Sequence, residues 1–257
     1  MSDRVCVVIP CYNHGHFLQE AIDSVLASSS LPDRIVIVND GSHDPHTLEV
    51  LEGLSHPLLT VLHQEHAGLA AARNRAIAAC DEALILPLDA DDRIGPDYIA
   101  QARQQFQKDP AAVIVYCHGE LFGSRQGPIV APAYHPMTMR FSNLIFACAM
   151  FRREAWLSVG GYCSAFTYGC EDWDFWIALL VQGGYPVRLA QTGFFYRITP
   201  HSMNQAMDRQ RRMAMHRLII KRHPSFFPAG FALLLPLYYR LLGSLPHRLM
   251  RALRGRS

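Results

Sequence analysis

Two hydrophobic periods alternate along the first 120 residues. Residues 5–9, "VCVVI", form an unbroken apolar and mostly β-branched run, the mark of a strand covered on both faces. Residues 17–28, "FLQEAIDSVLAS", instead place Phe17, Leu18, Ala21, Ile22, Val25 and Leu26 at helical spacing. The pattern then repeats. Residues 35–38 read as a second buried strand, and "HDPHTLEVLEGL" as a helix with Asp44 at its N-cap and Pro45 at its first position. Residues 59–63 read as a third strand, "GLAAARNRAIAAC" as an Ala-rich helix and residues 84–88 as a fourth strand. A helix over 97–108 and a strand over 113–117 follow. This β-α-β-α-β-α-β order predicts an α/β fold, with a Rossmann-like, mostly parallel central sheet flanked by helices.

Regularity weakens after residue 118. Residues 119–143 are rich in Gly, Pro, His and Met and read as a long loop or irregular hairpin, a kind of segment that is often functional. "REAWLSVGGY" reads as a short helix stopped by Gly160 and Gly161. "EDWDFWIALLVQGG" reads as a helix with Trp173, Trp176, Ile177 and Leu180 on one face. Such tryptophans are more often core than sugar platforms.

With 257 residues, 50% of them hydrophobic, the chain suits one large domain or a domain with an extension. Charge places the division at residue 203. Residues 1–203 hold 13 Lys+Arg against 21 Asp+Glu, whereas residues 204–257 hold 11 Lys+Arg and one acid, Asp208. The second segment also contains "FFPAGFALLLPLYYRLLGSL", interrupted by Pro228 and Pro236 and short of the roughly 20 residues a spanning helix needs. "PHRLMRALRGRS" follows, with arginines among Leu and Met. Apolar stretches beside basic residues suit an anionic membrane surface; the competing expectation is a helix pair packed on the body or a partner. Seven cysteines without a C-x-x-C pair argue against a disulfide framework or structural zinc site. The N-terminus enters a β-rich run with no charged leader and cleavage site, so the expected location is cytoplasmic, peripheral on the inner membrane face.

In an open parallel sheet, ligands bind at the carboxyl ends of the strands. After strand one comes "PCYN", after strand two "NDGSHD" and after strand four "DADD". Asp40 sits at a strand mouth, where a carboxylate can accept from a base or ribose. Asp89 and Asp91 are two apart and can share a hard divalent cation such as Mn²⁺ or Mg²⁺ with substrate phosphates, whereas Asp92 reads as a residue of the turn. Arg73, in the second turn of its helix, suits carboxylate or phosphate. Asp172, at a helix start that favours ionised carboxylates, is a candidate general base. No Walker or G-x-G-x-x-G phosphate cradle occurs. His201, in "YRITPHSMN", is a candidate ligand to metal or diphosphate.

In order, "VVIPCYN", "VIVNDGSHD", "AGLAAARNRAI", "LPLDADD" and "GGYCSAFTYGCEDWDFWIAL" resemble the motifs of family 2 glycosyltransferases with the GT-A fold, over roughly residues 4–200. The resemblance implies a nucleotide-diphosphate sugar donor, a divalent metal and inversion at the anomeric carbon. It places Pro10, Tyr12 and Asn13 by the nucleotide, Asp40 at the base and Arg73 on the donor. It makes Asp89 and Asp91 the D-x-D pair, with Asp89 nearer the ribose, and Asp172 the catalytic base. The expected acceptor is a saccharide or lipid-linked saccharide in surface-polysaccharide assembly, with no nucleic-acid partner. Two competing expectations are a sugar nucleotidyltransferase, for which "IPCYNHGHF" lacks the Gly-rich basic loop, and a catalytically silent nucleotide-sugar scaffold.

Overall fold

The structure, a computed structural model, describes residues 4–199 and 208–241. Its first half follows the predicted alternation. Strands β1 (Val5–Cys11), β2 (Arg34–Asp40), β3 (Leu59–Gln64) and β4 (Leu84–Pro87) alternate with helices α1 (Gly15–Leu26), α2 (Pro45–Gly53) and α3 (Leu69–Ala78). The four strands are parallel, in the order β3-β2-β1-β4. Both faces of β1 and β2 are buried because helices cover them, which is why these strands are continuously apolar. Asp44 caps α2 by accepting from the Thr47 N–H at 2.8 Å, and Pro45 occupies the first helical turn, as the sequence predicts.

The second half departs from the sequence reading. A two-residue strand, β5 (Arg93–Ile94), follows the "DADD" turn, and α4 (Tyr98–Lys108) leads into a long β6 (Ala112–Gly123). Part of the predicted loop is a hairpin, since β7 (Gly127–Ile129) pairs antiparallel with β6; the short helix α5 (Pro136–Met139) comes next. β8 (Met150–Arg152) inserts antiparallel between β4 and β6. After α6 (Arg153–Val159) and α7 (Glu171–Val181), β9 (Tyr185–Ile198) runs parallel to β6 and antiparallel to β5. The result is a nine-stranded, curled, mostly parallel sheet between two apolar clusters. β8 and β5 are too short for a periodicity signal, and the pattern of β9 is broken by polar residues.

The basic segment begins with α8 (Arg209–Arg222) and α9 (Phe231–Leu241), which pack on the body. His216, Ile219, Phe227, Phe231, Leu235 and Tyr239 are buried in the same cluster as Trp173, Phe175 and Trp176. Both tryptophans are therefore core. Asp174 of α7, itself buried, pairs with Arg222 Nε at 2.9 Å and His223 Nε2 at 2.8 Å. Pro236 lies inside α9 rather than ending it, and among the described residues no helix is long and apolar enough to cross a membrane.

Candidate functional site

The four parallel strands open at one edge. The segments there are Tyr12 and Asn13 after β1, Asp40 to Ser42 at the end of β2, residues 64–68 after β3 and residues 89–92 after β4. The mouth after β3 is the one the sequence reading did not single out, although polar Gln64 ends the strand and Glu65 and His66 directly follow it.

Asn13 ties the first two mouths together. Its Oδ1 accepts from the His43 and Asp44 N–H groups at 2.9 and 3.0 Å, and its own N–H donates to Ser42 Oγ. Asn13 does this with φ at 54°, a left-handed conformation that costs a non-glycine residue free energy. Pro10 is buried in β1. Tyr12 is exposed and stacks on His66, with ring centroids 4.0 Å apart and planes at 24°. Asp40 is buried and holds the third mouth: its carboxylate accepts from Gln64 Nε2 at 2.6 Å and from the Ala67 and Gly68 N–H groups at 2.8 and 2.9 Å, with His66 Nδ1 at 3.0 Å.

Gly68, with φ at 88°, turns the chain into α3 in a conformation a side chain would resist. That helix delivers Arg73. Arg73 is only 1% exposed, so the structure places it beneath the crevice. One terminal nitrogen donates to Asp89 at 2.6 Å and the other to Glu171 at 2.6 Å, while Tyr162 lies 5.5 Å from the guanidinium carbon. Arg73 thus joins the end of β4 to the start of α7. Burial disfavours its charge, and the two carboxylates more than offset that, holding its pKa above the ordinary arginine value.

The three aspartates of "DADD" occupy different surroundings. Asp92 is buried, accepts from the Arg197 N–H of β9 at 2.8 Å, and burial raises its pKa well above the carboxylate range. It is a residue of the fold, as the sequence suggests. Asp91 stays closer to solvent; burial and then repulsion from Asp89 raise its pKa, with His14 and Arg197 offsetting part of this. Asp89 is bonded to Arg73 through Oδ1. Two adjacent carboxylates at a strand mouth, one carrying charge at a cost, are a donor set that fits a hard divalent cation. Among the described residues the one group of three metal-type side chains is Cys6, Cys80 and Glu82, at the opposite end of the sheet, where Arg4 already pairs with Glu82. His201 lies outside the described residues.

α7 supplies Glu171 and Asp172. The residue before it, Cys170, has φ at 72°, the second non-glycine in that region among those described. Asp172 is half-buried. Its Oδ1 accepts from the Trp173 N–H at 2.7 Å and its Oδ2 from Asn143 Nδ2 at 2.8 Å. Burial first, then Glu171, push its pKa up to about 7, with Arg73 acting in the opposite direction. A carboxyl poised there is suited to taking a proton near neutral pH. Asn143 could not be found from sequence, because it stands in an irregular segment far from Asp172.

The family model described as "Glycosyl transferase family 2" matches residues 6–157, more than half of the chain. The chain belongs to glycosyl transferase family 2. A second model, "Glycosyl transferase family group 2", matches residues 84–251. The chain is 29% identical over 165 residues to chondroitin synthase of Pasteurella multocida, covering 62% of this chain and 17% of that one. It thus spans about a sixth of that relative. It is 26% identical over 211 residues to an uncharacterized glycosyltransferase of Haemophilus influenzae, covering 77% of this chain and 76% of that one. Among solved structures it resembles S. aureus TarS in complex with UDP-GlcNAc, with a TM-score of 0.70 and 17% identity over 84% of this chain and 66% of that one. It also resembles a mannosyltransferase of Pyrobaculum calidifontis in complex with GDP-Man and Mn²⁺, with a TM-score of 0.67 and 20% identity over 97% and 73% of the two chains. The fold of this chain is GT-A, as the motifs imply.

Proposed function

We propose that this glycosyltransferase transfers a sugar, with inversion, from a nucleotide-diphosphate donor, UDP-sugars first among them, to an acceptor hydroxyl. The observation that carries the proposal is the ionic cluster at the sheet edge in which Arg73 joins Asp89 to the helix end bearing Asp172. Asp172 takes the proton of the acceptor hydroxyl as that oxygen attacks the anomeric carbon from the face opposite the diphosphate. One free lone pair remains on each Asp172 oxygen beyond its bond to Trp173 or Asn143. A single displacement needs one base and no covalent nucleophile.

Asp91 and Asp89 would hold Mn²⁺ or Mg²⁺, which when bound supplies positive charge to the donor diphosphate. Arg73, which is buried, would serve the donor by fixing Asp89 toward the ribose. The exposed Tyr12 and its His66 partner offer a ring face to the base. Of the donors on Asp40, the Gln64 amide is a side chain that a base can displace, whereas the backbone donors are fixed by the turn.

The proposed acceptor is a saccharide or lipid-linked saccharide at the inner membrane face. Leu233, Leu234 and Leu237 of α9 are exposed, Leu233 by 83%, in a segment with an excess of Arg and Lys. That combination supports contact with anionic lipid.

Asp172→Asn tests the base. General-base removal lowers kcat by about 10²–10⁴-fold, and donor affinity should be nearly unchanged. Equal loss of both would remove Asp172 from this role.

A further inference from the structure

The segment between α5 and β8 is irregular, yet its backbone is gripped from three helices. Trp173 of α7 donates its Nε1–H to the Met139 carbonyl at 2.9 Å. His216 of α8 sits 2.7 Å from the Arg140 carbonyl through Nε2, so that nitrogen carries the proton, and Nδ1 faces the Tyr239 hydroxyl at 3.2 Å. Burial keeps this imidazole neutral, with its pKa lowered to about 4. Tyr238 of α9 donates to the Phe141 carbonyl at 3.0 Å. In return Arg140 donates through Nε to the Phe226 carbonyl at 2.7 Å. Three consecutive residues, 139 to 141, are therefore fixed by side chains of α7, α8 and α9. Two residues later the chain presents Asn143 to Asp172.

We propose that Asn143 is a positioning residue for Asp172, and that α8 and α9 hold it there, which makes the C-terminal helix pair part of the catalytic apparatus rather than an appendage. This rests on Asp172 being the base. The Asn143 Nδ2–H bond favours the ionised carboxylate and fixes its plane, so that the lone pair turned to the acceptor is constant. The other groups facing Asp172 are Glu171, Arg73 and Asp89, with Cys170 and Tyr162 close by, and only Arg73 among them favours the ionised form. Asn143 also has a local task, since its Oδ1 accepts from the Ile145 N–H at 3.2 Å. The two tasks can be separated because Asp is isosteric with Asn and keeps that acceptor.

The test compares Asn143→Ala and Asn143→Asp with the full chain, with Asp172→Asn as reference, using donor and acceptor steady-state kinetics and thermal unfolding. Asn143→Ala should lower kcat about ten- to a hundredfold, the scale of a lost hydrogen bond to a charged group, with donor KM unchanged. Asn143→Asp keeps the acceptor for Ile145 but faces Asp172 with a second carboxyl that shares a proton with it, so it should shift the pH at which kcat rises. Tyr238→Phe should lower kcat in the same direction by a smaller factor. Wild-type kcat in Asn143→Ala together with an unshifted pH profile in Asn143→Asp, or a rise in donor KM matching the fall in kcat, would overturn the positioning role. Should Asp172→Asn itself retain transfer, the base assignment fails instead, so the two failures are distinct.

Discussion

Arg73 and Asp89 meet at 2.6 Å although Arg73 is almost wholly buried, and the opposite nitrogen of the same guanidinium meets Glu171 at the same distance. One cation therefore fixes two segments of the candidate site that are 82 residues apart in the chain, Asp89 and Glu171. Arg73→Ala would leave Glu171 buried without its partner. Removing one member of such a buried pair costs about 3–5 kcal/mol, which urea denaturation would register as a lower midpoint. Arg73→Lys should recover only part of this, because an ammonium lacks the fork that spans both carboxylates.

As the proposed base, Asp172 links pH to both activity and stability. Its folded pKa of about 7 lies above the ordinary 3.8. A carboxyl raised on folding contributes stability that is complete below its unfolded pKa and is lost as pH rises through the folded value. Asp172→Asn removes this dependence, so the melting temperature of the variant relative to wild type should climb between pH 4 and pH 8. In the same window wild-type kcat should rise through about pH 7 as the base ionises. A flat kcat profile from pH 5.5 to pH 8.5 would contradict the assignment.

The α9 surface makes a separate prediction. Deleting the C-terminal segment would strip Phe227, Phe231 and Leu235 from the core, so membrane contact is better tested on the outward residues. Leu233→Gln with Leu234→Gln and Leu237→Gln should reduce flotation with liposomes containing anionic lipid, while leaving the melting temperature within a few degrees. Unchanged flotation would place lipid contact elsewhere or nowhere.

Much of this was legible in the residues, unevenly. The β1 to β4 half was legible because β1 and β2 are continuous apolar runs, α1 carries an apolar stripe and α2 carries its own cap, Asp44. The separation of Asp92 from Asp89 and Asp91 was also visible, since a strand end followed by a turn cannot expose all three alike. The sites that escaped depend on distant pairing. β8 is three residues long and its place in the sheet is set by β4 and β6, not by its own pattern. Asn143 is ordinary in sequence and acquires meaning only when α8 and α9 bring its segment to α7. Arg73 was legible as a cation at the edge, but its burial depends on Tyr162 and Glu171, about 90 and 98 residues further on.

The central claim is a metal-assisted nucleotide-sugar site at the "DADD" edge, and calorimetric titration of UDP- and GDP-sugars into wild type and Asp91→Ala, with Mn²⁺ or with EDTA, tests it most directly. The account predicts that at least one nucleotide-sugar binds wild type with Mn²⁺, that EDTA weakens it at least about tenfold, the scale of losing one strong ionic contact, and that Asp91→Ala binds as weakly with metal as without. Binding by none of the nucleotide-sugars, or equal binding by both proteins regardless of metal, would contradict it.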